Sequence, residues 1–171
     1  MRIIGAVLVM VASCGIGFLF AAEVSKRRKE LEEQYSLMRL LLGDIRYMRD
    51  SFPEAIRKEM LRHKGSYDSF LNAVSERLCE AAGQSFAEIW RTAVESELQQ
   101  SALTEADKQR MKYFGESITY TDRENVMMCF EHYLEELKEE IDGTNRVAGT
   151  KMKLYRSLGV LAGVFIIVLF I

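Results

Sequence analysis

At 171 residues and a formal charge of −2, the chain has length for one domain with small additions, and 23 basic against 25 acidic residues exclude the strongly basic face that a nucleic-acid groove needs. Apolar residues make up 49%, but unevenly: no charge falls between Ile3 and Ala22, none follows Arg156, and every acidic residue lies between Glu23 and Asp142. The three cysteines, Cys14, Cys79 and Cys129, are far apart and form no C-x-x-C pair, which predicts buried thiols in a reducing compartment.

The first segment, residues 3–22, is uncharged over about the ~20 residues that cross hydrocarbon as a helix. Lys26, Arg27, Arg28 and Lys29 follow it, and this basic excess predicts that the chain beyond stays on the cytoplasmic side. Val11-Ala12-Ser13-Cys14 also resembles a lipobox, which would make a lipidated surface protein. The apolar run continues for eight residues past Cys14, however, so an uncleaved membrane helix is the preferred reading.

The block 23–153 reads as a helical bundle. Leu31, Tyr35, Met38, Leu42 and Ile45 recur at steps of four and three, on one face of a rod predicted to reach about Asp50. Ser51-Phe52-Pro53-Glu54 has the form of a capping box, opening a short helix with Ile56 and Met60 inward and Gly65 as its stop. Phe70, Val74 and Leu78 mark a third helix that Gly83 ends. Ser85-Phe86-Ala87-Glu88 is a second capping box, before Ile89, Trp90, Ala93 and Val94. Thr104 caps a fifth helix holding Met111 and Phe114, and Thr121-Asp122-Arg123-Glu124 opens a long last one with the stripe Val126, Phe130, Tyr133, Leu137, Ile141.

These elements predict an all-α fold: a six-helix cytoplasmic bundle whose first and last long helices continue into membrane helices at residues 3–22 and 154–171. Short connections make neighbours antiparallel. The first and last helices must lie side by side, because both leave the same bilayer face. Leu158 to Ile171 alone spans only ~21 Å against ~30 Å of hydrocarbon. Starting the segment at Leu154 mends this, with Lys151, Lys153 and Arg156 reaching the headgroups. Gly143 and Gly149 mark either a bend or a tolerated helical position.

No catalytic, metal or cofactor pattern emerges. His63 and His132 belong to no ligand-spaced pair, and Glu136 and Glu140 lack a matching carboxylate–histidine partner. Residues 143–151 lack the order and the preceding strand of a phosphate loop. A non-enzyme is expected, with no cofactor, no nucleic acid and no small-molecule substrate. Gly159 and Gly163 form a G-x-x-x-G step, and Ser13 and Gly17 form a similar ridge, either for close packing of membrane helices or as ordinary glycine content there. Glu135, Glu136, Glu139 and Glu140 make an acidic run that is either a solvated face or a surface for a basic partner.

The chain resembles the stage III sporulation protein AB family over its whole length. The resemblance is most specific at Phe114-Gly115-Glu116, at Asp122-Arg123, and at Ser157-Leu158-Gly159-Val160-Leu161-Ala162-Gly163. It implies a component of the complex linking mother cell and forespore, in the mother-cell (outer forespore) membrane. It also implies likeness to the cytoplasmic helical domain of F-type inner-membrane platform proteins of type II secretion and type IV pilus machines. The implied partners are the sporulation ATPase of the same operon, neighbouring membrane proteins and lipid. Candidate contact residues are Phe114, Gly115, Glu116, Asp122 and Arg123, otherwise turn and capping chemistry, together with Glu135, Glu136 and Glu139. Beside the adaptor reading stand two others: a membrane tether or regulator without an ATPase, and the lipobox-processed surface lipoprotein.

Overall fold

A computed structural model describes the backbone of residues 2–170 except 63, 81, 82 and 119–121, and within that range the side chains of residues 22–146. The described chain is all-helical: α1 (Arg2–Gly43), a π-helical turn (Asp44–Met48), α2 (Phe52–Arg62), α3 (Asp68–Glu80), α4 (Phe86–Glu97), α5 (Glu105–Ser117) and α6 (Arg123–Phe170). The predicted bundle is therefore present. Among the described residues no helix is long and apolar enough to cross a membrane. The expected membrane helices, with Ser13, Gly17, Gly159 and Gly163, lie outside the described side chains, as does Thr121.

The most extensive packing in the molecule is between α1 and α6, which form an antiparallel pair. Short helices α2 to α5 pack each on the next, and the run attaches to the pair through α2 on α1 and α5 on α6. Apolar spacing accounts for this. Leu31, Leu37, Met38, Leu41 and Leu42 on α1 and Ile45 on the π turn are buried, as are Phe130, Tyr133 and Leu137 on α6. Burying each such side chain contributes about 1.5–3 kcal/mol.

The helix ends follow the capping chemistry. Ser85 accepts from the Glu88 N–H while Glu88 accepts from the Ser85 N–H, a reciprocal box. Thr104 makes the same arrangement with Asp107. At Ser51 only half the box forms: the Ser51 N–H and hydroxyl both donate to Glu54. Gly83, at φ +90°, holds the left-handed conformation that glycine adopts without strain.

The first rod stops short of Asp50. Its α-helical geometry ends at Gly43, and the π turn carries it to Met48. Arg49 then turns left-handed at φ 59°, its N–H donating to the Asp44 carbonyl. The thiols also differ from expectation, since Cys79 is exposed and Cys129 only half-buried, both free. α6 runs unbroken through Gly143.

Candidate functional site

Two clusters join the short helices to the long pair. The first is ionic. Arg27 sits one turn before Leu31 on the buried stripe of α1, so its guanidinium points into the bundle rather than away from it. It meets Asp107 with two N–H groups, Nε to Oδ2 at 2.8 Å and NH2 to Oδ1 at 2.9 Å. It also donates to Glu140 at 2.5 Å and to the Thr144 hydroxyl at 3.2 Å. Arg110 closes the array, donating to Glu140 and to Asp107, both at 2.8 Å.

α1, α5 and α6 thus converge on two arginines and two carboxylates. The fork-shaped guanidinium suits this task because its donors are fixed in one plane. Asp107 is only 2% exposed and still caps α5 through Thr104. Burial pushes its carboxyl up, but hydrogen bonds from Arg27 and Thr104 outweigh that and hold it below the usual carboxylate range. Glu140 is lowered by hydrogen bonds from Arg110 and then Arg27. Arg27 is held still more firmly charged, chiefly by its hydrogen bond with Asp107.

The second cluster is aromatic. Phe114 is its hub, with ring centroids 4.8 Å from both Phe130 and Tyr133 and 5.7 Å from Trp90. Trp90 in turn meets Phe70 edge-on at 4.8 Å and donates its indole N–H to the Met111 carbonyl at 2.8 Å. That approach requires Gly115: a Cβ there would lie 2.2 Å from the Trp90 ring. Beneath the rings the Gln34 amide donates to the Tyr133 hydroxyl at 2.9 Å, and burial pushes the Tyr133 phenol well up.

The sequence candidates therefore fall into two groups. Phe114 and Gly115 are interior, and Glu116 pairs with Arg91 at the surface of the α4–α5 contact. Arg123 donates to the Ile45 and Arg46 carbonyls, satisfying acceptors that the end of the first rod leaves open. Asp122 is exposed and caps α6 by accepting from the Asn125 N–H at 3.3 Å. Glu135 and Glu139 are exposed, and Glu136 is half-exposed beside His132 at 3.5 Å.

Of these four residues, sequence reasoning left out Arg27, Asp107 and Arg110 as site residues and placed Glu140 in the acidic run rather than in a joint. The signal was available for two of them. Arg27 precedes Leu31, Gln34 and Met38 at helical steps, and Glu140 follows Tyr133 and Leu137 in the same way. Among the described residues no cluster of His, Cys, Asp and Glu could hold a metal ion.

A family profile described as stage III sporulation protein AB matches residues 2–171. The stage III sporulation protein AB of Bacillus subtilis (strain 168) is 21% identical over 169 residues, covering 99% of this chain and 98% of the relative. A solved structure of a stage III sporulation protein AB superimposes with a TM-score of 0.65 at 15% identity, over 72% of this chain and 97% of the other, which shows the shared fold. These relatives are named as sporulation proteins, not as enzymes. With the profile matching nearly every residue, the chain belongs to the stage III sporulation protein AB family and so to the proteins of endospore formation.

Proposed function

We propose that the protein is a non-enzymatic membrane adaptor, anchored through the segments at both ends of its long helices, whose bundle docks the sporulation ATPase and passes position or force to neighbouring membrane proteins of the mother cell–forespore channel complex. One observation carries this reading. Arg27 and Arg28 of α1 meet Thr144 and Asn145 of α6, so the two long helices leave the bundle together at one end. The uncharged segment 3–22 and the apolar segment 154–171, whose one charge is Arg156, are the continuations at that same end. Two spans entering one membrane from one face need this arrangement, and the basic residues around it favour the cytoplasmic side. The bundle itself offers a firm body rather than a reaction centre: its inward charges pair with one another, and its aromatic rings fill the core.

The ATPase surface is assigned to the acidic side of α6 around Glu135, Glu136 and Glu139, with Asp122 toward the far end. Full-length protein in detergent should retain the ATPase in a pull-down, and reversing the charge of Glu135, Glu136 and Glu139 together should abolish retention. Undiminished binding by that variant removes the acidic side as the surface. No binding by the parent protein favours the tether without an ATPase partner. A reporter inserted after Lys64 tests the topology separately: activity outside the membrane overturns the cytoplasmic placement.

A further inference from the structure

The α1–α6 pair has a face that the short helices leave uncovered, and its charges form a pattern. Arg28 reaches Asn145 and Arg46 reaches Glu131 across the outer seam of the pair. Between them on α1, at helical steps, stand Tyr35 and Arg39, the guanidinium 5.9 Å over the ring. Between them on α6 stand Leu134, Lys138 and Ile141. The apolar members, Tyr35, Leu134 and Ile141, are only half-buried, and Met128 nearby is 62% exposed. The contacts of Arg27 with Thr144, Gln34 with Tyr133 and Arg123 with the Ile45 carbonyl set the heights along the antiparallel pair. Lys29 is then level with the turn of α6 that holds Asp142, Glu32 with that of Lys138, and Arg39 with that of Glu131.

The sign of charge therefore alternates along α1 as positive, negative, positive, while α6 reads negative, positive, negative at the same heights. Within one chain these opposites are not joined. Among the described residues Lys29, Lys138 and Asp142 make no side-chain ion pair, Glu32 pairs along its own helix with Arg28, and Glu131 pairs with Arg46 rather than with Arg39.

We propose that this face binds a second copy of the chain about a two-fold axis running along the helices. Such an axis sets α1 of each copy against α6 of the other at equal height. Every level then meets its opposite charge twice, around a strip of half-buried apolar side chains. The direction of the axis rests on the proposed anchoring of both copies in one membrane. A one-turn slip would set Glu32 level with Asp142 or with Glu135, like against like, so the pattern also fixes the register.

The test uses the full-length chain in detergent micelles, with its assembly state followed by sedimentation across a concentration series. The parent should dimerise, more weakly at high salt. Glu32→Lys and Lys138→Glu should each weaken the dimer about tenfold, since each reversal strikes two symmetric pairs. The double variant should restore the parent value. Both positions are exposed, so melting temperatures read at dilutions where every variant is monomeric should stay close to the parent value, apart from the small loss of the Arg28–Glu32 helix pair, and separate lost pairing from lost folding. A monomeric parent, single variants as tight as the parent, or a double variant no tighter than the singles overturns the proposal. Alkaline extraction of membranes from cells producing the full-length chain reads the anchoring separately. Release by alkali with the charge-swap pattern intact defeats the anchoring alone, and retention with a monomeric chain defeats the dimer alone.

Discussion

The joint at Arg27 and the aromatic cluster around Phe114 both fasten α5 to α6, by opposite physics. The aromatic cluster is non-directional in its main part. It removes large rings from water, and its edge-on and stacked pairs add about 0.5–1.5 kcal/mol each beyond burial. The ionic joint gains little from burial, because taking charges out of water costs most of what their attraction returns. It contributes orientation instead. Asp107 reaches Arg27 with both oxygens only when α5 stands at one angle to α1, and Glu140 adds the same demand from α6. Cohesion is concentrated around Phe114 and alignment around Arg27, nearer the shared end of the long helices.

Substitutions separate the two. The largest effect is expected at Gly115. Gly115→Ala places a methyl inside the Trp90 ring system, where neither a helix backbone nor a buried indole can yield cheaply. Loss of about 3 kcal/mol or more is expected, read as a collapse of the denaturant midpoint. Asp107→Ala should cost about 3 kcal/mol, because it removes a cap and leaves two guanidinium groups facing inward without their carboxylate. A melting temperature within experimental error of the parent would mean that water replaces the joint without loss.

Acid should weaken the joint, along with the lowered carboxylates Glu54, Glu88 and Glu95, and spare the aromatic cluster. Asp107 and Glu140 titrate lower in the folded chain than in the unfolded one. Their contribution is complete above the unfolded carboxylate pKa of about 4 and is lost as pH falls through the folded values. Melting temperature should therefore drop below about pH 4. An Asp107→Asn/Glu140→Gln variant, less stable at neutral pH, should show a flatter acid limb. An unchanged limb would place the acid sensitivity elsewhere. The smallest effect is expected at Gly143, where a Cβ meets nothing within 4 Å. Gly143→Ala should raise stability by about 0.5–1 kcal/mol through helix propensity, the reverse in sign of the same change at Gly115.

Local chemistry was the legible part of the sequence. The box at Ser85, the cap at Thr104, the stops at Gly65 and Gly83, and the stripes on both long helices all act through residues within a turn or two of each other. Partners distant in sequence were not legible. Arg27 stands in a run of four basic residues, and nothing around it names Asp107, 80 positions away. Tyr67 falls in a turn between helices, yet it is buried with its hydroxyl on the Glu30 carbonyl. The Phe114-Gly115-Glu116 stretch entered as a candidate contact through the family resemblance, with turn and capping chemistry as its other reading. Its reason is interior: the glycine makes room for an indole from another helix.

The separation of partners along the chain also dictates an order of events during synthesis. The contacts from Arg27 to Glu140 and Thr144 span 113 and 117 residues. α1 is made first, yet its apolar stripe cannot be fully covered until α6 has been made. Closing so long a loop is slow, and it follows the local pairing of α2 through α5. For most of its time on the ribosome the nascent chain therefore displays Leu31, Met38 and Ile45 incompletely covered. A chaperone or an already assembled neighbour has that interval in which to hold the first rod, and completion of α6 ends it.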